Sequence, residues 1–300
     1  MLHQPVLLTE VLELSGPARR VVDGTVGDGG HAAALAGRGA AILGTDRDPG
    51  AIARARVRLD RADARLLTGS FDAPEFLEQV RAFRPDLVLL DLGVSSRQLD
   101  DPELGFTFRP DAPLDMRMSG ESGGATAADY LNSVPEPELA RTFAELGDEP
   151  RARRLAAEIA RRRAREPFTT SDHLVRAIRA VLGPRSGPAD FARIFQAVRI
   201  AVNHELERLE RGLVGLRDAL SPGGRLAVIS YHSGEDRIVK QAFRDWARAC
   251  VCPPAVPVCI CRGRPLGTLM TRRPIRPSAG EIATNPRARS ARLRVFQVSP

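Results

Sequence analysis

Short apolar runs alternate with helix-period stretches along the first third of the chain. Arg20-Val21-Val22-Asp23 reads as a strand, followed by the loop Gly24-Thr25-Val26-Gly27-Asp28-Gly29-Gly30 and an Ala- and Leu-rich helix from about His31. Residues 41–46 form a second predicted strand. Residues 49–59 form a helix with Pro49 in its first turn, where the missing N–H leaves nothing unsatisfied. Residues 64–67 are a short third strand leading into Gly69-Ser70-Phe71-Asp72, and residues 86–91 a fourth, an unbroken apolar run of the kind buried on both faces. Strands alternating with helices predict βαβ units and a parallel sheet.

That alternation stops at about Pro102. From there to Pro188 the chain is punctuated by Pro and Gly, then helical and strongly basic, with seven arginines against two glutamates between Arg151 and Glu166. The pattern predicts an inserted helical subdomain over 102–188, interrupting a domain made of 1–101 and 189–300. After it, Phe195, Val198, Val202, Leu206, Leu209, Leu213, Leu216 and Leu220 step by three or four residues, one continuous apolar stripe of a long helix. Ser221-Pro222-Gly223-Gly224 ends it. A strand at 225–230, a helix at about 235–249 and a closing strand at 293–298 follow.

The 300 residues are 43% hydrophobic and 27% charged, the balance of a soluble globular protein. No run approaches the roughly 20 apolar residues that span a bilayer, and the start lacks a basic segment followed by an apolar one, so a cytoplasmic protein is expected. The net charge of +7 suits a polyanionic partner such as nucleic acid. A compositional bias competes with that reading, since every basic residue except Lys240 is arginine. The cysteines cluster as Cys250, Cys252, Cys259 and Cys261. In a reducing compartment this pattern suits a four-thiolate structural zinc site, although Cys-x-Cys is tighter than the common Cys-x-x-Cys.

The glycines at 24, 27, 29 and 30 let backbone approach a ligand where side chains would block it. Asp46, at the tip of the second strand, stands where doubly wound folds bind the ribose hydroxyls of an adenosine cofactor. A dinucleotide site needs Gly-x-Gly-x-x-Gly to seat a pyrophosphate. Here the spacing is Gly-x-x-Gly-x-Gly-Gly, flanked by Asp23 and Asp28. Carboxylates repel a pyrophosphate and accept from an ammonium, so S-adenosylmethionine fits better than NAD. Phe71 could lie on an adenine or in the core. Asp91 could face the crevice or be a buried structural acid. Ser230-Tyr231-His232-Ser233-Gly234-Glu235-Asp236, at another strand's carboxyl end, is either a site or a helix start favoured by its acids.

Together these pieces resemble the bacterial family that methylates N4 of a decoding-region cytosine in 16S ribosomal RNA. The resemblance runs nearly end to end: His3-Gln4-Pro5-Val6-Leu7-Leu8, Asp23 to His31, Asp46-Arg47-Asp48-Pro49, Asp91 to Asp100, Pro113-Leu114-Asp115-Met116-Arg117-Met118, Phe195 to Asn203, Ser230-Tyr231-His232-Ser233 with Glu235-Asp236-Arg237, and Asn285 to Ser290. It implies a Rossmann-like class I methyltransferase sheet with an inserted helical subdomain, and a partner in 16S rRNA or the small ribosomal subunit. It implies that Gly29, Gly30, His31, Asp46, Phe71, Asp91 and Gln98 contact S-adenosylmethionine; Gln98 enters on the resemblance alone. Gly234 and Arg97 stand where the family commonly has Leu and Pro.

Cytosine N4 is a poor nucleophile because its lone pair delocalises into the ring, so an acceptor for its hydrogens would help. The Asp/Asn-Pro-Pro-aromatic motif that many amino-methyltransferases use is replaced by Asp91-Leu92-Gly93-Val94. Asp91, Asp115 and His232 are therefore the candidate catalytic residues, Asp91 orienting cofactor or amine and Asp115 or His232 near the base. Arg151–165 and Arg272–294 are candidate phosphate contacts. Competing readings are an amino-methyltransferase of another nucleic acid and a non-catalytic rRNA-binding assembly factor.

Overall fold

In the computed structural model, which describes residues 5–119, 124–252, 258 and 260–300, the chain divides into two compact units. One comprises Met1–Gly93 and Leu206–Pro300, the other Val94–Glu205. The first unit opens with α1 (Leu8–Ser15), then β1 (Arg20–Asp23), α2 (Gly30–Ala36), β2 (Ala41–Asp46), α3 (Pro49–Arg58), β3 (Ala64–Thr68), α4 (Pro74–Phe83) and β4 (Leu87–Asp91). The second unit holds α5 (Ser96–Asp100), α6 (Ala127–Ser133), α7 (Glu136–Glu145), α8 (Ala152–Arg163), α9 (Ser171–Leu182) and α10 (Pro188–Asn203). The chain then runs through α11 (Glu205–Ala219), β5 (Arg225–Ser230), α12 (Ser233–Ala247), β6 (Gly267–Leu269), α13 (Ala279–Thr284) and β7 (Arg292–Val298).

The seven strands lie in the order β3-β2-β1-β4-β5-β7-β6. β1 to β5 are mutually parallel, and β7 pairs antiparallel with β5 and with β6. This is a Rossmann-like, doubly wound sheet with an antiparallel pair at one edge. Parallel neighbours need a crossover, and each of the first three is a helix. The crossover from β4 to β5 contains the whole second unit. Strand order reverses between β1 and β4, and ligands of open α/β sheets bind at such a switch point, beyond the strands' carboxyl ends.

Strand side chains alternate between faces, so the apolar runs feed two cores. Val21, Leu87, Leu89, Ala227 and Ile229 pack beneath α1, α2 and α3 with Val11, Leu35 and Ile52. Val22, Val88, Leu90, Leu226 and Val228 pack on the other face with Phe76, Val80, Leu213, Phe243 and Trp246. The second unit has its own core around Phe143, Leu155, Ile159, Phe168, Ile178, Ile194 and Phe195.

The long helix predicted through Phe195 and Leu220 is two helices. His204 adopts a left-handed conformation, with φ 52° and ψ 41°, and its N–H donates to the carbonyls that end α10. Phe195 and Val198 serve the second unit's core. Leu209, Leu213, Leu216 and Leu220 serve the sheet. Neither α1 nor the short edge strand β6 was apparent from hydrophobic periodicity. Among the described residues no helix is long and apolar enough to cross a membrane.

Candidate active site

The carboxyl ends of β1, β2 and β4 each carry an aspartate. Asp23 ends β1, 2% exposed, and its Oδ1 accepts from the Thr25 N–H at 3.1 Å. Burial pushes its carboxyl up to about 7, and the charges of Asp91 and Asp46 push the same way. Asp46 ends β2 and accepts from two backbone amides, Gly27 N–H at Oδ2 and Asp48 N–H at Oδ1, both at 2.9 Å. Burial raises its pKa as well, against the lowering effect of those two amides. Asp91 ends β4, and its N–H donates to Thr25 Oγ1 at 2.6 Å.

Three carboxylates at one end of a sheet favour a ligand that brings positive charge. The expected contribution of Asp28 is corrected here: Arg54 Nε donates to Asp28 Oδ1 at 2.7 Å, so that charge is compensated within the fold. Arg54 also reaches Asp48, whose Oδ1 caps α3 at Gly50 N–H.

The glycines of the first loop do different jobs. A side chain on Gly24 would meet Leu90 at 2.5 Å and Phe71 at 3.0 Å, and one on Gly30 would meet Pro5 at 2.6 Å. Protein packed against those two leaves no room for a side chain at either. Gly27 differs: it takes a left-handed φ of 51°, and among the described residues beyond its chain neighbours only Thr25 O, at 3.9 Å, comes near its absent Cβ. Gly29 is also left-handed, with φ 77°, at the start of α2. Gly27 therefore leaves open space beside Asp46, a cradle that a side chain would fill.

His31 is buried; its Nε2 lies 2.9 Å from Val6 O and its Nδ1 3.8 Å from Asp91 Oδ2. The Val6 contact, with Leu7 N–H donating to Glu281 Oε1 at 2.7 Å, ties down the segment after His3 and Gln4, which lie outside the described residues. Phe71 is half-buried, its ring against the backbone of Gly212 in α11.

From β5, Tyr231 Oη donates to Asp91 Oδ1 at 2.7 Å. Burial, then the charge of Asp91, pushes the Tyr231 phenol well above its ordinary value, so it stays a donor. Sequence reasoning marked this loop but not this residue. The signal was present, a phenol one residue beyond a strand that neighbours β4. His232 precedes α12, with Nε2 3.2 Å from Glu235 Oε1. Glu235 is 2% exposed and accepts from the N–H groups of Tyr231 and His232, as at a capped helix start. Asp236 is equally structural, paired with Arg294 at 2.7 Å and Arg292 at 3.2 Å.

Gln98 and Asp115 belong to the second unit. Gln98 is buried in a reciprocal cap at the start of α5, its Oε1 accepting from Ser95 N–H at 2.9 Å. Asp115 receives Arg117 through two bonds, Nε to Oδ1 at 2.8 Å and Nη2 to Oδ2 at 2.7 Å. Asn203 fixes this loop by donating to Met116 O at 2.7 Å and accepting from Met118 N–H at 2.9 Å.

Several arginines expected to meet phosphate have internal work. Arg163 Nη1 donates to the Leu131 and Val134 carbonyls, Arg151 Nη1 to Val181 O, and Arg294 is buried against Asp236. The Sγ atoms of Cys250, Cys252 and Cys261 lie within 4.8 Å of one another, and Val251 N–H points at Cys261 Sγ at 3.4 Å. Cys259 lies outside the described residues.

Residues 1–299 match the MraW methylase family. A ribosomal RNA small subunit methyltransferase H of Gemmatimonas aurantiaca is 56% identical over 299 residues, covering 98% of this chain and 95% of that protein. Proteins of the same name from Thermomicrobium roseum and Heliobacterium modesticaldum are each 48% identical, covering 98% of this chain and 93% and 98% of theirs.

Proposed function

The chain belongs to the MraW methylase family, and from that premise we propose that it transfers a methyl group from S-adenosylmethionine to N4 of one cytosine in the decoding region of 16S rRNA. The observation that supports this best is the trio Asp23, Asp46 and Asp91 beside the open Gly27 turn. An acidic crevice suits an ammonium and a sulfonium and opposes a pyrophosphate. The cytoplasm, where the small subunit is made, is the corresponding location.

The bound cofactor supplies an electrophilic methyl on sulfur; the chain's own residues position and exclude water. Asp46 accepts from ribose hydroxyls. Asp23 and the Gly27–Gly30 turn receive the amino acid end, with His31, Phe71 and Gln98 completing the binding set. Asp91, held by Tyr231 and Thr25, orients the cofactor or the cytosine amine. Asp115 or His232 would accept a hydrogen of N4, localising the lone pair of that amine, and would later take its proton. The base must leave its stack or come from a single-stranded region.

Labelled S-adenosylmethionine incubated with unmodified small subunits, naked 16S rRNA and duplex DNA tests the reaction. N4-methylcytidine in the digest of either ribosomal substrate is the expected product. Label only in DNA moves the enzyme to another nucleic acid, and subunit binding without label makes it an assembly factor. Asp115→Asn and His232→Ala are each expected to slow single-turnover methylation; a normal rate removes that residue from the site.

We further propose a structural zinc ion held by Cys250, Cys252 and Cys261, whose sulfurs lie within 4.8 Å of one another, each thiolate favoured by the metal's charge; Cys259, expected as the fourth ligand, lies outside the described residues. Metal analysis of protein purified without chelator is expected to find about one zinc per chain, as a four-thiolate site binds one ion.

A further inference from the structure

Between Arg151 and Arg185 the chain carries ten arginines against three carboxylates. All three carboxylates are occupied within the second unit. Glu158 takes Arg161 at 2.7 Å and Arg162 at 2.6 Å. Asp172 Oδ2 accepts the Asp111 N–H at 2.7 Å, and Glu166 faces His173 at 3.4 Å. The arginines that remain have no matching negative charge on these helices.

Two of them converge with the paired Arg162. Arg162 of α8 and Arg176 and Arg179 of α9, with Ala180 and Pro184, wall a hollow of about 420 Å³. Arg179 is steadied from below, its guanidinium 5.3 Å from the centre of the Phe191 ring. Arg176 Nε donates to Asp172 O at 3.3 Å. Both are exposed, and among the described residues only Arg162 of the three has a carboxylate partner. Three guanidinium groups around one concavity repel each other, a cost the fold alone does not require and an anion would relieve. Their planar forks match phosphate oxygens bidentately.

We propose that this hollow on the second unit is a phosphodiester site that docks the backbone of the substrate RNA. The inference rests on the rRNA methyltransferase reading and deepens it by assigning the anchoring contacts to Arg162, Arg176 and Arg179. The contact is independent of base identity, since phosphate contacts fix position and carry no sequence information. It assigns Arg151 and Arg163, bound to backbone carbonyls, to the fold instead.

The test is binding of full-length protein to a 16S rRNA fragment containing the target cytosine, measured across 50–200 mM salt. Arg176→Gln/Arg179→Gln is expected to weaken binding about tenfold at the middle of that range. It should also lower the slope of log affinity against log salt by about 1.4, or roughly 0.7 for each lost contact to single-stranded phosphate. S-Adenosylmethionine affinity and the rate at saturating RNA stay unchanged. Arg176→Gln alone touches only an exposed side chain and is expected to lower the slope by about half as much. Arg20→Gln, at the opposite end of β1 from the crevice, leaves both measures unchanged.

If wild-type protein binds and methylates the RNA while the double variant keeps its affinity and slope, the hollow is not a phosphate site. Loss of binding to assembled subunits with naked RNA binding intact would also overturn it, in favour of an acidic protein contact. Wild-type protein that neither binds nor methylates RNA defeats the rRNA reading itself.

Discussion

The phenol of Tyr231 donates to Asp91 Oδ1 at 2.7 Å, joining the carboxyl ends of β5 and β4 beside the point where strand order reverses. With Asp91 N–H on Thr25 Oγ1, it fixes an acid that has no proline-rich motif behind it to set its direction. A hydrogen bond to a charged group contributes about 1.5–3 kcal/mol. Tyr231→Phe is therefore expected to slow single-turnover methyl transfer by about tenfold or more while leaving the fold intact. Rapid-quench measurement at saturating cofactor checks this; an unchanged rate would show that Asp91 needs no fixed orientation.

Asp23 makes stability fall as pH rises. Its carboxyl titrates at about 7 in the folded chain against an ordinary value of 3.8. Between those values the folded state binds more protons than the unfolded state, so each step up in pH favours unfolding. The thermal midpoint of ligand-free protein should drop from pH 5 to pH 8, and Asp23→Asn should flatten that drop. A cationic cofactor prefers the ionised acid, so its stabilising effect should grow over the same interval. A ligand-free midpoint that is flat in wild type would contradict the buried environment assigned to Asp23.

Asp46→Ala removes the acceptor of two backbone amides and the proposed ribose partner. Calorimetric titration with S-adenosylmethionine is expected to show affinity lower by at least about tenfold, the equivalent of one charge-assisted hydrogen bond. Equal binding would remove Asp46 from the site.

Arg294 is 8% exposed and meets Asp236 through two bonds, at 2.7 and 3.2 Å. The pair holds the Asp236 carboxyl below the usual range; burial alone would raise it, and the bonds from Arg294 and Arg292 outweigh that effect. Arg294→Met strands a half-compensated carboxylate, at a cost of about 3 kcal/mol. A thermal midpoint several degrees lower is the expected reading, with cofactor affinity preserved at a temperature where the variant is folded.

Much of the crevice could be read from residues alone because its determinants are local. A strand that ends in aspartate, a turn that needs left-handed glycines and a proline in a first helical turn each act within a few positions. Asp46 and Gly27 were legible for that reason. Tyr231 was not singled out, since its place one residue past a strand gains meaning only from a partner 140 residues away. Gly24 and Gly30 were visible as glycines, but their cause, contact with Leu90, Phe71 and Pro5, belongs to packing.

By itself the sequence determined the strands β1 to β5, the parallel sheet they imply and the acids at the strand tips, because hydrophobic period and turn chemistry are short-range. Only the tertiary structure decided where the stripe from Phe195 to Leu220 divides, which arginines are bound to carbonyls and which wall an open hollow, and that Asp28 is spent on Arg54. The physical reason is the same in each case. Periodicity says that a face will be buried and composition that a charge exists, but neither names the partner. Two helices serving different cores share one 3.6-residue rhythm, and a guanidinium reads identically whether a carboxylate or a phosphate is to meet it.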